Sequence, residues 1–189
     1  VSTVTRLFGP LDTSSNISAV ELGCGTGNNL KFLLDFGFDN VHGIDGSKTA
    51  LQLAHKHLND TSAKLKLIRA DFASLPEQDG YFDLVLDRGS ITHNDYDSSR
   101  AILAESLRIL KSGGYIMSTL FSSSHSAVFE SEQINKSFYK AFQSEATNNR
   151  GLNTSFFKIN DVFELFSSFE ILLTIFKILK KYMVRQAFF

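Results

Sequence analysis

Three glycines at alternate positions, Gly23, Gly25 and Gly27, follow the short apolar run Ala19–Leu22. Glycine has no Cβ, so such a turn lets the backbone pass close to a ligand and presents amide groups at the mouth of the next helix. Glu21 stands just before the turn and Cys24 lies within it. Eighteen positions beyond Gly27, after the next apolar run, comes Asp45, a carboxylate that can accept hydrogen bonds from both hydroxyls of a ribose. A glycine-rich turn with a carboxylate at that distance indicates an adenosine-type ligand. The dinucleotide fingerprint wants its third glycine at position 28, which is Asn28 here, so a nicotinamide cofactor fits poorly.

Other reactive side chains are scattered. Cys24 offers its backbone amide and small size rather than a nucleophilic thiol. Asp87 and Arg88 close the fourth apolar run, and two readings stand: a place in the site, or a structural role in which Arg88 is the ion-pair partner of Asp87 or a helix-capping cation. His93, six positions beyond Asp87, is placed for acid–base work, because imidazole titrates near about 6.5. The alternative is that it bonds its own loop with Asn94, Asp95 and Tyr96; His125 is a weaker second choice of base. His55 and His57 point different ways on a helix and disfavour a shared metal, so no metal is expected. His42 reads as a packed or solvated strand residue rather than a catalyst, and Asp83 as a cap or solvated group at the strand end away from the ligand.

These groups need strand ends and helix starts to hold them. Strands are predicted at Ala19–Leu22, Val41–Ile44, Leu65–Ile68, Phe82–Leu86 and Tyr115–Phe121, with helices between them, the pattern of a parallel α/β sheet. The first helix begins near Asn28, buries Leu30, Leu33 and Leu34, and ends at Gly37. Ser47 caps a helix carrying Ala50, Leu51, Ala54 and Leu58. Ser98–Lys111 is helical, with Ile102, Leu103, Leu107 and Leu110 inward and Gly113 and Gly114 as its stop. Asn160 caps a short helix through Phe166. Strands Phe169–Phe176 and Tyr182–Phe188 are close enough in sequence to pair as an antiparallel hairpin, with Lys177, Lys180 and Lys181 at a solvated tip. Residues 122–153, rich in Ser, Asn, Gln and Glu, form a lid or acceptor-binding insertion, in which Ile134, Phe138 and Phe142 predict a helix. Phe129, Phe138, Tyr139 and Phe142 either pack this lid or line an acceptor pocket.

At 189 residues the chain has room for one domain. Its 43% hydrophobic and 21% charged residues suit a soluble globular protein. A net charge of −1 gives no broad positive field, so general nucleic-acid binding is not expected. The single cysteine suits a reducing cytoplasm. The sequence opens on Val1 rather than methionine, so a few preceding residues are expected, and no secretory pattern lies near it. The apolar stretch 169–189 is broken by Lys177, Lys180, Lys181 and Arg185, whereas a spanning helix needs about 20 apolar residues, so no membrane anchor is expected.

With these residues in place, the chain from Val20 to Phe189 resembles the class I S-adenosylmethionine-dependent methyltransferase family. The resemblance rests on Val-Glu-Leu-Gly-Cys-Gly-Thr-Gly (20–27), Asp45, Arg-Ala-Asp-Phe (69–72), Tyr-Phe-Asp-Leu-Val-Leu-Asp (81–87) and Leu-Lys-Ser-Gly-Gly (110–114). The last departs from the family's Leu-Lys-Pro-Gly-Gly by Ser112, which costs turn rigidity but no chemical group. The resemblance implies a Rossmann-like α/β sheet of seven strands in the order 3-2-1-4-5-7-6, the last antiparallel, with helices on both faces. It implies that Glu21, Gly23, Cys24, Gly25 and Gly27 cup the methionine part of S-adenosylmethionine. Asp45, with Gly46 and Ser47, takes the ribose, and Asp71 and Phe72 take the adenine. Asp87 and Arg88 lie beside the sulfur. No Asn-Pro-Pro-Tyr segment follows the fourth strand, so the resemblance does not extend to enzymes acting on exocyclic or amide nitrogens of bases or glutamine. A small-molecule acceptor is the expected class, by analogy, with His93 as candidate base. The alternative from another class is a non-catalytic cofactor-binding or partner subunit. The sequence leaves the oligomeric state open.

Overall fold

Strand β1 (Ser18–Leu22) is buried along its whole length and runs into the glycine turn. Helix α1 (Asn28–Phe36) buries Leu30 and Leu33 and ends at Gly37, whose φ of 112° lets its amide donate to the carbonyls of Leu33 and Leu34. Then follow β2 (Asn40–Ile44), α2 (Lys48–Leu58), β3 (Leu65–Ile68) and β4 (Phe82–Asp87). Ser47 caps α2 as expected, its Oγ accepting from the Ala50 amide at 3.2 Å. This computed structural model describes residues 4, 7–9, 16–58, 64–140, 143–144, 149–150, 152–171, 175–179 and 184–188.

The chain falls into two compact units. The first holds the residues up to Leu86 together with Arg108–Ile116. In it β3, β2, β1, β4 and the start of β5 (Leu110–Phe121) are neighbours in that order. β1 pairs parallel to β2, Val20 opposite His42, and β2 parallel to β3, His42 opposite Lys66. Parallel neighbours need crossover helices, which the sequence supplies as α1 and α2. The core includes Val20, Leu22, Leu30, Leu33, Val41, Ile44, Phe82 and Leu84, none of them exposed. His42 is packed rather than solvated, its Nδ1 3.0 Å from Glu77 Oε1 and its ring edge-on to Phe82. Asp83 is no solvated cap: its Oδ2 accepts from the Ser18 amide and hydroxyl and from Lys111 Nζ at 2.8–3.0 Å. These donors hold its carboxyl below the usual range although burial alone would raise it.

The second unit holds Asp87–Leu107 and the residues from Met117 onward. α3 spans Tyr96–Ile109, two residues earlier at each end than predicted, because Asp95 Oδ1 accepts from the Ser98 amide at 2.8 Å. Its buried stripe is Ile102, Leu103, Ser106 and Ile109, while Leu107 is 42% exposed. Ser106 tolerates that place because its hydroxyl donates to the Ile102 carbonyl at 2.8 Å. β5 begins at Leu110, directly after α3, so Gly113 (φ 79°) lies in the strand and does not cap a helix.

The lid region corrects the predicted helix. β6 (Gln133–Asn135) and β7 (Phe138–Tyr139) form a hairpin turning through Ser137 at φ 62°, a left-handed conformation that no helix contains. Phe142 lies outside the described residues. β8 (Gln143–Ser144) pairs with β9 (Asn149–Arg150), and β10 (Thr154–Ser155) with β7. α4 spans Ile159–Leu165; Lys158, not Asn160, precedes it, and Asp161 in its first turn accepts from the Lys158 amide at 3.0 Å.

The closing hairpin is antiparallel as predicted, but its first strand lies later. β11 is Ile175–Leu179 and β12 is Val184–Phe188, with Ile175 opposite Phe188. Phe169 and Ile171 are not in a strand, and Tyr182, Lys180 and Lys181 lie outside the described residues. β12 pairs antiparallel with the end of β5, Ala187 opposite Leu120. The fold is therefore an α/β Rossmann-like methyltransferase fold: a mostly parallel five-stranded sheet in the first unit, and antiparallel pairing at the end of β5 in the second.

Candidate functional site

In the first unit the turn after β1 is tied to the end of β2. The amides of Gly23 and Cys24 both donate to the Ile44 carbonyl, at 2.8 and 3.1 Å, and Gly27 donates back to Cys24 at 2.9 Å. Gly23, Gly25 and Gly27 all have positive φ, 70°, 54° and 84°, the region where a side chain costs most. A Cβ on Gly27 would meet Leu58 at 2.8 Å, so that glycine serves packing. A Cβ on Gly25 or Gly46 would meet nothing within 4 Å. The space beside these two residues is open to a ligand.

Asp45 joins the parts. Its Oδ2 accepts from the Gly25 amide at 2.9 Å and its Oδ1 from the Ser47 amide at 2.8 Å. Each oxygen retains lone-pair capacity toward a ribose hydroxyl. Arg69 Nε donates to the Gly46 carbonyl at 3.0 Å and steadies the same loop. Asp71 is exposed after β3 with Oδ1 accepting from Ala73, and Phe72 beside it is half-buried. Glu21 is buried at the end of β1 and accepts from Asn29 Nδ2. Sequence reasoning missed Asn29, because an amide one position inside a helix carries no signal of the carboxylate it will meet.

Burial, then the neighbouring carboxylates of Glu21 and Asp45, push the Cys24 thiol up to about 12, so it stays protonated and non-nucleophilic. The same two carboxylates favour a cation, and S-adenosylmethionine carries one at sulfur. Open space over Gly25, the half-buried Asp45 carboxylate and this negative field fit that cofactor. Gly25→Ala is therefore expected to weaken S-adenosylhomocysteine binding by about tenfold or more, while left-handed strain costs about 1–2 kcal/mol of stability. Calorimetric titration and urea unfolding of the same variant check the two effects separately.

In the second unit Asp87 is fully buried. Its Oδ1 accepts from the amides of Gly89, Ser90 and Ile91 at 3.2, 2.7 and 3.2 Å, and its Oδ2 from Ser118 Oγ at 2.6 Å. Burial nevertheless raises its pKa to about 6. Arg88 is exposed, and the donors on Asp87 are its own loop and Ser118 rather than that guanidinium. Ser118 is a second residue that sequence reasoning missed, since a lone serine in a strand gives no sign of what it faces.

His93 ends a 3₁₀ turn (Ile91–His93), half-buried, its Nδ1 3.4 Å from both the Asn153 carbonyl and Thr154 Oγ1. Burial holds its pKa below the usual imidazole value, so the ring is neutral at pH 7 and able to take a proton. Capping falls to its neighbours: Asn94 Nδ2 donates to the Ser90 carbonyl and Asp95 caps α3. The His93 ring lies edge-on to Phe121, which stacks on His125 and Phe156. His125 is buried with Nδ1 accepting from Ala127, a structural bond. Phe129 is 75% exposed, while Phe138 and Tyr139 are half-buried. Among the described residues no group of three His, Cys, Asp or Glu could hold a metal ion.

Comparison with known proteins bears on the family and the fold. A family profile described as a methyltransferase domain matches residues 19–114, from β1 to the glycines of β5. The chain is 32% identical over 117 residues to human EEF1A lysine methyltransferase 2, covering 58% of this chain and 48% of that protein. It spans about half the length of the curated relatives it matches. A Methanosarcina mazei S-adenosylmethionine-dependent methyltransferase superposes with a TM-score of 0.76 at 20% identity, over 97% of this chain and 93% of that one. A Burkholderia thailandensis 1,6-didemethyltoxoflavin-N1-methyltransferase, with its substrate and S-adenosylhomocysteine bound, gives 0.73 at 15% identity, over 99% and 73%. With a methyltransferase-domain match over half its length, the chain belongs to the class I S-adenosylmethionine-dependent methyltransferase family.

Proposed function

We propose that the chain transfers the methyl group of S-adenosylmethionine to an amine nitrogen, with a lysine side chain of a protein as the acceptor. The observation that carries this reading is the 32% identity to a lysine methyltransferase. In it, Glu21, Gly23, Cys24, Gly25 and Gly27 hold the methionine part, Asp45, Gly46 and Ser47 the ribose, and Asp71 and Phe72 the adenine. Asp87 shapes the loop that carries Arg88 and His93. The seven main strands form one sheet in the order 3-2-1-4-5-7-6, and residues 122–153 are the lid of a single domain. The cytoplasm is the proposed location.

S-adenosylmethionine supplies a methyl already activated by a sulfonium. The neutral acceptor nitrogen forms the new N–C bond as the S–C bond breaks, S-adenosylhomocysteine leaves, and the surplus proton passes from the product ammonium to His93 or water. Positioning of this kind accounts for about 7–11 kcal/mol of a barrier in favourable systems. His93→Ala is expected to lower kcat by about 100-fold, with KM little changed, and to remove the acidic limb of the pH–rate profile. An unaltered profile leaves His93 a loop residue.

The second reading is a small-molecule acceptor, supported by the similarity in fold to the 1,6-didemethyltoxoflavin-N1-methyltransferase. Release of S-adenosylhomocysteine, measured against a panel of lysine-bearing proteins and a panel of small amines, tests both. Product in the protein panel, located by mass spectrometry on lysine, supports the first. Product confined to small amines replaces it with the second. Cofactor binding without product in either panel points to a non-catalytic partner subunit.

A further inference from the structure

We propose that α2 and β3 form a docking groove for a short acidic, leucine-bearing segment of a protein partner. The groove, of about 530 Å³, is lined by Lys48, Leu51, Gln52, His55, Lys56 and Leu67. Leu51 and Leu67 are half-buried and make an apolar floor, and the four polar residues stand exposed around it. α2 carries two lysines, two histidines and no acidic residue, in a chain whose net charge is −1. Positive charge is thus concentrated on this helix against the average of the molecule. Among the described residues no carboxylate pairs with Lys48 or Lys56. Arg69, bonded to the Gly46 carbonyl, adds a guanidinium beside the turn that leads into α2.

An apolar floor with a cationic rim complements glutamates and leucines alternating in one segment. Rim pairs are individually weak and salt-sensitive, so the leucines must supply part of the affinity. A nucleic acid would be expected to find stacking surfaces, and the lining holds no Phe, Tyr or Trp, the His55 imidazole being its one ring. The groove does not depend on which acceptor is methylated.

Fluorescence anisotropy on the full chain tests it with three labelled probes: a short glutamate peptide carrying two leucines, the same peptide with serines in their place, and an oligothymidylate. The leucine peptide is expected to bind at low salt with a Kd of roughly 10–100 μM. The serine peptide should bind more weakly, and Lys48→Glu with Lys56→Glu should weaken binding about tenfold or more, as should raised salt. The variant's response to S-adenosylhomocysteine should match the parent's. If the double reversal fails to fold, Gln52→Glu, an exposed change at the middle of the rim, is expected to weaken binding about two- to fivefold. Equal binding by parent and folded variant, or no binding of the leucine peptide, overturns the proposal. Tighter binding of the oligothymidylate, lost in the variant, overturns it in favour of a nucleic-acid surface.

Discussion

Asp45→Ala is expected to weaken S-adenosylhomocysteine binding by about 100-fold and to leave the fold in place. The carboxylate holds the amides of Gly25 and Ser47 at 2.9 and 2.8 Å from two different stretches of chain. A hydrogen bond to a charged group contributes about 1.5–3 kcal/mol, and about 1.4 kcal/mol is a factor of ten. Losing the pair therefore frees the glycine turn and, in the proposed reading, leaves the ribose without its acceptor at the same time. The side chain is only half-buried, so little packing goes with it. Asp45→Asn, with one acceptor oxygen instead of two, should fall between parent and alanine. Isothermal titration reads the affinities and circular dichroism the fold; an alanine variant that binds as tightly as the parent sinks the assignment.

Asp87→Ala should give the largest loss of stability of any single change at these sites, about 3–5 kcal/mol. It leaves three amides and the Ser118 hydroxyl without their acceptor in a place sealed from water, and each abandoned donor costs about 1–3 kcal/mol before relaxation. Asp87 also carries a pH dependence. Its folded pKa of about 6 lies above the unfolded value of about 3.9, so the folded state holds the proton more tightly. Its contribution is fully present below about pH 4 and is lost as pH rises through 6, by roughly 3 kcal/mol. Asp87→Asn, which cannot ionise, should remove that slope and keep most of the amide contacts. Urea midpoints of parent and Asn variant between pH 4 and 7 measure it; parallel curves would show that the carboxyl is not titrating in this window.

The His93 reading depends on the same scaffold, because the amides that Asp87 accepts belong to the loop leading into Ile91–His93. Asp87 is in this sense a positioning residue. Its variants should therefore lower turnover through the loop, and the Asn variant less than the Ala variant.

Much of the frame was legible from residue order. Apolar runs marked β1 to β4 to within one residue and the end but not the start of β5; Gly37 marked the end of α1, and Ser47 the start of α2, because each is decided by contacts within a few positions of the chain. Where the decisive contact was distant, pattern failed. Ile134 and Phe138 are spaced as on a helix, yet Ser137 takes a positive φ and donates to Asp161 Oδ2 at 3.0 Å, 24 positions away. Lys136, which sits 3.7 Å over the Tyr96 ring and pairs with Glu164 at 3.0 Å, ties that hairpin to two other elements. Leu107 lost its inward place to Ser106 because the stripe through Ile102, Ser106 and Ile109 follows the helical period of 3.6 residues.

By itself, the amino-acid sequence determined the turn of alternating glycines, the carboxylate at the end of the second strand and, through them, an adenosine-bearing cofactor and a family. Glycine's freedom at positive φ and a strand's apolar run are local properties, readable without a partner. Only the tertiary structure decided that Asp45 reaches back 20 positions to the Gly25 amide. It alone showed Asp87 turned inward to its own loop and to Ser118, 31 positions on, rather than outward with Arg88. It also placed the His93 ring against Phe121 and within 3.4 Å of Thr154. The physical reason is common to all three. A buried polar group is positioned by whichever donor the fold brings within hydrogen-bond reach, and that donor leaves no mark in the neighbouring sequence.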